Sequence, residues 1–156
     1  MSDADFMREA VAEAVRAAEA GEMPVGCVIV KDGRIIARGR NACEAQRDAT
    51  AHAEMLAIRE ASRALGDWRL TGCTLYVTLE PCPMCAGAIV HSRLSRLVFG
   101  AGDPVQGCAG SLYRITEDPA FPHFCPAEGG VLAGECAAPL NAFFSRRRGR
   151  TPESDE

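Results

Sequence analysis

The stretch Thr74-Leu75-Tyr76-Val77-Thr78-Leu79-Glu80-Pro81-Cys82-Pro83-Met84-Cys85 changes character halfway along. Its first six residues alternate and are rich in β-branched side chains, which predicts a strand over 74–79. Pro81 and Pro83 then break the pattern. Pro83 suits the first turn of a helix, where its missing N–H costs nothing, and a helix is predicted from there to about His91. Cys82 and Cys85 lie three apart at that helix start, so their side chains share a face.

Working outward, the same logic covers the rest of the chain. Towards the N-terminus, Phe6, Met7, Ala10, Val11, Ala14, Val15 and Ala18 form one apolar stripe, which predicts a helix over 3–20 with Ser2 and Asp5 as its capping box and Gly21 as its stop. Strands over 25–30 and 34–38 flank Lys31-Asp32-Gly33, and the Asp-Gly pair makes this a β-hairpin. Residues 41–50 read as a loop and 51–65 as a helix ending at Gly66. Beyond the cysteines, Leu97 to Phe99 is a strand closed by Gly100. Residues 100–130 are loop-rich, with a short helix near 111–117, and Val131-Leu132 is a last short strand. A terminal helix over 134–148 carries Leu140, Phe143 and Phe144. Strands alternating with helices imply an α/β layered fold. About thirty residues separate the last two strands, room for a crossover and far more than a hairpin needs, so they are expected to be parallel.

Composition narrows the function classes. The 156 residues are the size of one domain, and 47% of them are hydrophobic, enough for one core. No apolar run is long enough to cross a membrane. The first ten residues include Asp3, Asp5, Arg8 and Glu9 and lack the basic start and apolar stretch of a signal peptide, so a cytoplasmic location is expected. In that compartment the eight cysteines are not expected to form disulfides. Six of them read as small buried hydrophobes. The net charge of −4 and pI near 5.4 argue against a general nucleic-acid coat. A local basic run remains at Arg146, Arg147, Arg148 and Arg150, ahead of the acidic residues Glu153, Asp155 and Glu156.

The chemistry is concentrated in Ala51-His52-Ala53-Glu54 and Pro81-Cys82-Pro83-Met84-Cys85. Zinc favours Cys and His, and a catalytic site characteristically keeps three protein ligands and leaves the fourth position to water. His52, Cys82 and Cys85 make three. One ion per chain would be held between two facing helix starts, whose N-termini favour thiolate over thiol. A bound zinc lowers the pKa of its water towards neutrality, and the hydroxide attacks a ring carbon bearing an exocyclic amine. Glu54, which the three-ligand set leaves free, takes the water's proton and delivers protons to the ring nitrogen and the departing amine. The competing structural reading is a closed site with Cys73 or Cys108 as fourth ligand, which leaves Glu54 without a task.

With these residues placed, the chain resembles the cytidine/deoxycytidylate deaminase superfamily, whose signature joins H-x-E to a later P-C-x-x-C. Within it, the chain is most similar to the bacterial tRNA adenosine deaminases. The likeness runs from Met23 to Arg148 and extends to Pro24-Val25-Gly26, Arg47-Asp48, His91-Ser92-Arg93, Val98-Phe99-Gly100 and Gly107-Cys108-Ala109-Gly110-Ser111. It implies a three-layer α/β/α fold on a mixed five-stranded sheet. With no internal repeat or linker to divide it, the chain is expected to form a single domain over 1–150, with an acidic, disordered tail over 151–156. The implied activity is conversion of the wobble adenosine of a tRNA anticodon arm to inosine by a homodimer. Asn41, Asp103 and Val25 map onto substrate-contacting positions, and Phe143, Phe144 and the arginines after them onto the region along the RNA. For Phe143 and Phe144, base stacking and core packing both stay open. For the arginines, phosphate contact and a solvated helix end stay open. The family often has Pro at Ala49 and basic residues near Pro104-Val105-Gln106 and Phe124-Cys125-Pro126, where this chain has none. An enzyme acting on a free nucleobase, nucleoside or similar amino-heterocycle, such as guanine or adenine, is the alternative. A non-catalytic, zinc-stabilised nucleic-acid-binding module is the third reading.

Overall fold

The computed structural model describes residues 1–148; the acidic tail over 151–156 and Arg150 lie outside the described residues. Five strands form one sheet in the order β2-β1-β3-β4-β5. Strands β1 (Gly26–Lys31) and β2 (Arg34–Arg40) are the expected hairpin, with Asp32 and Gly33 both at positive φ in its turn. β3 (Cys73–Leu79) pairs antiparallel with β1 and parallel with β4 (Arg96–Ala101). The parallel β3–β4 pair is joined by helix α4 (Pro83–His91), the crossover that parallel pairing requires.

Side-chain alternation along the strands divides the interior into two cores. Cys27, Ile29, Leu75, Val77, Leu97 and Phe99 face one side of the sheet, where they pack with Ala53, Ala57 and Ala61 of α3 (Ala53–Leu65) and Ile89 of α4. Val28, Val30, Tyr76 and Val98 face the other side. There they meet Phe6, Met7 and Ala10 of α1 (Asp3–Glu19) and Cys136 of α5 (Ala133–Arg148). The expected three-layer α/β/α arrangement and mixed five-stranded sheet are therefore present. The alanine face of α3 lets it sit low on the sheet. At Gly39 on β2, any Cβ would collide with the backbone carbonyl of Ala53, so this glycine sets how closely α3 approaches.

The N-terminal helix keeps the predicted capping box, with Ser2 Oγ accepting from Asp5 N and Asp5 accepting from Ser2 N. Its first turn is also tied across the sheet: the Asp3 carboxylate accepts from Nη1 and Nη2 of the Arg96 guanidinium and from the Tyr76 hydroxyl.

The structure corrects four local expectations. The last strand, β5, is Ala127–Glu128, not Val131-Leu132, and it runs parallel to β4 as expected of the final pair. Val131 and Leu132 instead pack against the α1-side core where the chain turns into α5, with Leu132 in the left-handed region. A two-residue edge strand of Ala and Glu carries no apolar signal, whereas Val-Leu does. The expected loop over 41–50 contains a short helix, α2 (Cys43–Gln46), whose amides at Glu44 and Ala45 donate to the buried carboxylate of Glu22. The helix expected over 111–117 shrinks to one turn, η1 (Ile115–Glu117), because Ser111 is held elsewhere. α3 starts at Ala53, not Ala51, so His52 is its cap.

Candidate active site

The site lies at the edge of the sheet where β3 and β4 end, β2 ends and β1 begins. This is the end at which open sheets with parallel strands characteristically bind ligands. Each functional side chain comes from a residue just beyond a strand or at a helix start. Val25 precedes β1, Asn41 follows β2, His52 and Cys82 are the caps of α3 and α4, and Asp103 follows β4.

His52 and Cys82 both have extended backbone and make no side-chain capping bond, which turns their side chains away from the helix they precede. His52 Nδ1 lies 3.6 Å from Cys82 Sγ and 3.5 Å from Cys85 Sγ. The three ligand atoms fall within 4.8 Å of one another, the one such convergence of three or more His, Cys, Asp or Glu among the described residues. The two candidates for a fourth ligand are elsewhere: the Cys73 thiol points to the Thr71 carbonyl and the Cys108 thiol to the Gln106 carbonyl. The trio is the donor set zinc prefers and leaves one tetrahedral position open.

Electrostatics agree with metal binding. A hydrogen bond from the Cys85 thiol pulls the Cys82 thiol down to about 4, helped by His52 and opposed by burial, so Cys82 is a thiolate at neutral pH. Cys85 keeps the proton of the pair, because it donates to Cys82 and is itself buried. The Cys82 hydrogen bond also raises His52 against the effect of burial. A cation inserted among these three atoms displaces the protons that now hold them together.

Glu54 sits on the first turn of α3, 4% exposed and outside the converging trio. Burial pushes its carboxyl up to about 7, partly offset by its own backbone N–H. Beside it, a cavity of about 160 Å³ is lined by Met23, Val25, Asn41, His52, Glu54, Leu79, Glu80, Cys82, Asp103 and Gln106. That is below the roughly 300–1,000 Å³ of sites for drug-sized ligands, so it suits a single small ring system.

The structure thus gathers His52, Cys82, Glu54, Asn41, Val25 and Asp103 around one cavity, with Cys85 buried against the His52 ring. The α5 residues divide. Phe143 is buried under the Arg147 guanidinium, 5.2 Å from its ring centroid, whereas Phe144 is 39% exposed. Phe143, Phe144 and Arg147 line a second depression that shares Met23, Asn41 and His52 with the first. Arg146 and Arg148 are exposed, and Arg148 donates to Ser145 within its own helix. Two carboxylates that sequence reasoning passed over are also built into the site: Glu22, which anchors α2 beside Asn41, and Glu80 in the cavity wall. Glu80 directly precedes the P-C-x-x-C segment, the one local sign that pointed to it.

The fold and this donor set define a zinc-dependent hydrolytic deaminase holding one zinc ion per chain. Residues 1–101 match the model of the cytidine and deoxycytidylate deaminase zinc-binding region. The tRNA-specific adenosine deaminase of Bacillus subtilis (strain 168) is 53% identical over 143 residues, 92% of this chain and 89% of that one. A solved structure from studies of A-to-I editing by tRNA:A34 deaminases superposes with a TM-score of 0.84 at 46% identity, covering 87% of this chain and 99% of that one. The guanine deaminase of Bacillus subtilis is more distant, with a TM-score of 0.58 and 34% identity over 98% of this chain and 80% of its own. The chain belongs to the cytidine and deoxycytidylate deaminase family.

Proposed function

We propose that this enzyme deaminates the wobble adenosine of a tRNA anticodon arm to inosine. The observation that carries the reading is that the cavity adjoins the depression lined by Phe144 and Arg147, the two sharing Met23, Asn41 and His52. A flipped base fits the first while its neighbours and phosphates meet an exposed aromatic ring and the arginines of α5. The high identity to tRNA deaminases over most of the chain supports the same substrate.

Zinc, when bound by His52, Cys82 and Cys85, supplies Lewis-acid activation of a water molecule. Glu54 takes a proton from that water and returns it to the ring nitrogen, then carries the second proton to the amine. Water enters, ammonia leaves, and a carbonyl replaces the amino group. Its raised proton affinity suits a group that must both accept and donate near neutral pH. Asn41 spends its Oδ1 on the Ala53 amide, which leaves its side-chain N–H₂ to donate to the base. Val25 and Asp103 line the same cavity and bound the space for the base.

The enzyme acts as a homodimer in the cytoplasm. Exposed Leu112, Tyr113, Phe121 and Phe124, clustered in one segment, support an interface between two copies. Eight free cysteines support a reducing compartment. Among the described residues no helix is long and apolar enough to cross a membrane.

The decisive experiment measures ammonia release and inosine formation from an anticodon-arm RNA with adenosine at the wobble position, beside a panel of free bases and nucleosides. Inosine at that one position is expected. Turnover confined to a free heterocycle, the outcome favoured by the uncharged Pro104-Val105-Gln106, would overturn the RNA reading.

A further inference from the structure

Glu80 is 2% exposed, forms no ion pair among the described residues, and is not one of the converging ligands. A buried carboxylate without a cation is expensive unless donors surround it. Here every donor comes from a single loop. Oε1 accepts the Asp103 amide at 3.0 Å and the Ser111 hydroxyl at 2.5 Å. Oε2 accepts the Ala109 amide at 3.0 Å and the Ser111 amide at 2.9 Å.

The loop is moulded closely to this group. A Cβ at Gly107 would collide with the Glu80 carboxyl carbon and with the Asp103 carbonyl. A fifth tie runs beside it, from the Cys108 amide to the Pro81 carbonyl at 2.9 Å. The Asp103 carboxylate in turn accepts the amides of Val105 and Gln106, closing the tip of the loop. Asp103 and Gln106 are the two residues this loop contributes to the cavity wall.

We propose that Glu80 is a positioning residue for substrate: its carboxylate folds the 103–111 loop into a cavity wall, so that Asp103 and Gln106 meet the base. This rests on the cavity being the substrate site. Glu80 acts on binding through the loop and leaves proton transfer to Glu54. A glutamine at position 80 keeps the size but sets an N–H₂ against amides that can only donate, so the loop loses half its anchor.

The test compares wild type, Glu80→Gln and Ser111→Ala as zinc-loaded enzymes, by amide hydrogen exchange and by steady-state kinetics. Glu80→Gln should keep its zinc stoichiometry. Exchange in 102–111 should speed up about tenfold or more, while α3 and α4 stay protected. KM should rise about tenfold with kcat within about threefold. Ser111→Ala, which removes one of the four bonds, should shift exchange and KM the same way but less, and it decides the matter if Glu80→Gln fails to fold. Unchanged exchange in the loop, or a fall in kcat with KM intact, overturns the proposal. The kinetics use whichever substrate the wild type turns over, and the exchange measurement uses none. Failure on RNA therefore counts against the substrate reading, and unchanged loop exchange counts against the role of Glu80.

Discussion

Asn41 caps the helix that presents Glu54: its Oδ1 accepts the Ala53 backbone N–H at 2.8 Å, across twelve residues of chain. His52, the residue at the cap position, has its ring among the cysteine sulfurs and makes no capping bond. One side chain thus supports the helix start and faces the cavity. Asn41→Ala should cost about 0.5–2 kcal/mol of stability, the usual loss on removing a cap. For a chain of this size that is a few degrees in Tm, readable by calorimetry at fixed zinc. Activity should fall much further, by about a hundredfold or more, because the proposed donor to the base goes as well. A variant as active as wild type would separate Asn41 from the substrate.

Glu54→Gln should keep the zinc and the fold but reduce turnover by about a thousandfold or more, since proton transfer and its timing are lost together. Zinc content by elemental analysis and ammonia release on the same sample check this. Full activity in Glu54→Gln would sink the mechanism.

Removal of zinc should expose Cys82 selectively. The neighbouring Cys85 thiol holds Cys82 as a thiolate with a pKa near 4, whereas burial pushes Cys125 and Cys136 up to about 12. Chelated enzyme treated with iodoacetamide at pH 6 should be alkylated first at Cys82, and added zinc should protect it. Peptide mass spectrometry reads the site. Equal labelling with and without zinc would contradict the assignment of Cys82 as a ligand.

The tie between Asp3 and Arg96 makes a prediction in acid. Hydrogen bonding from Arg96, then from Tyr76, holds the Asp3 carboxyl below its ordinary 3.8. A carboxylate whose pKa is lower folded than unfolded stabilises the protein above its unfolded pKa, and the benefit is lost as pH falls through the folded value. Arg96→Met should therefore destabilise at pH 7, by no more than about 1 kcal/mol given the exposure of the pair. As pH falls through the lowered folded value of Asp3, the gap to wild type should narrow. Urea denaturation at several pH values measures the difference, and a gap that widens in acid would reject the account.

How much of this was legible beforehand depended on the range of the interaction. The zinc trio was readable because Cys82 and Cys85 meet through the geometry of one helix start, and because His and Cys have few other joint uses. The helix stripes and the hairpin were equally local. Glu80 and Glu22 were not readable: a glutamate in an acidic chain carries no mark until its donors are known, and those of Glu80 lie up to 31 residues away. The division between buried Phe143 and exposed Phe144 likewise depends on which face of α5 meets the body of the protein. The misplaced last strand shows the converse, with Val131-Leu132 apolar for packing rather than for pairing.

The sequence by itself determined the reaction class, because the types and spacing of His52, Glu54, Cys82 and Cys85 specify a three-ligand zinc site with a free carboxylate. It also determined the alternation of strands and helices, because periodicity is a local property. Only the tertiary structure decided that Asn41 caps α3, that the trio closes without Cys73 or Cys108, and that one loop is folded around Glu80. Those outcomes are set by distances between residues remote along the chain, where each polar group takes the partner that burial leaves within reach.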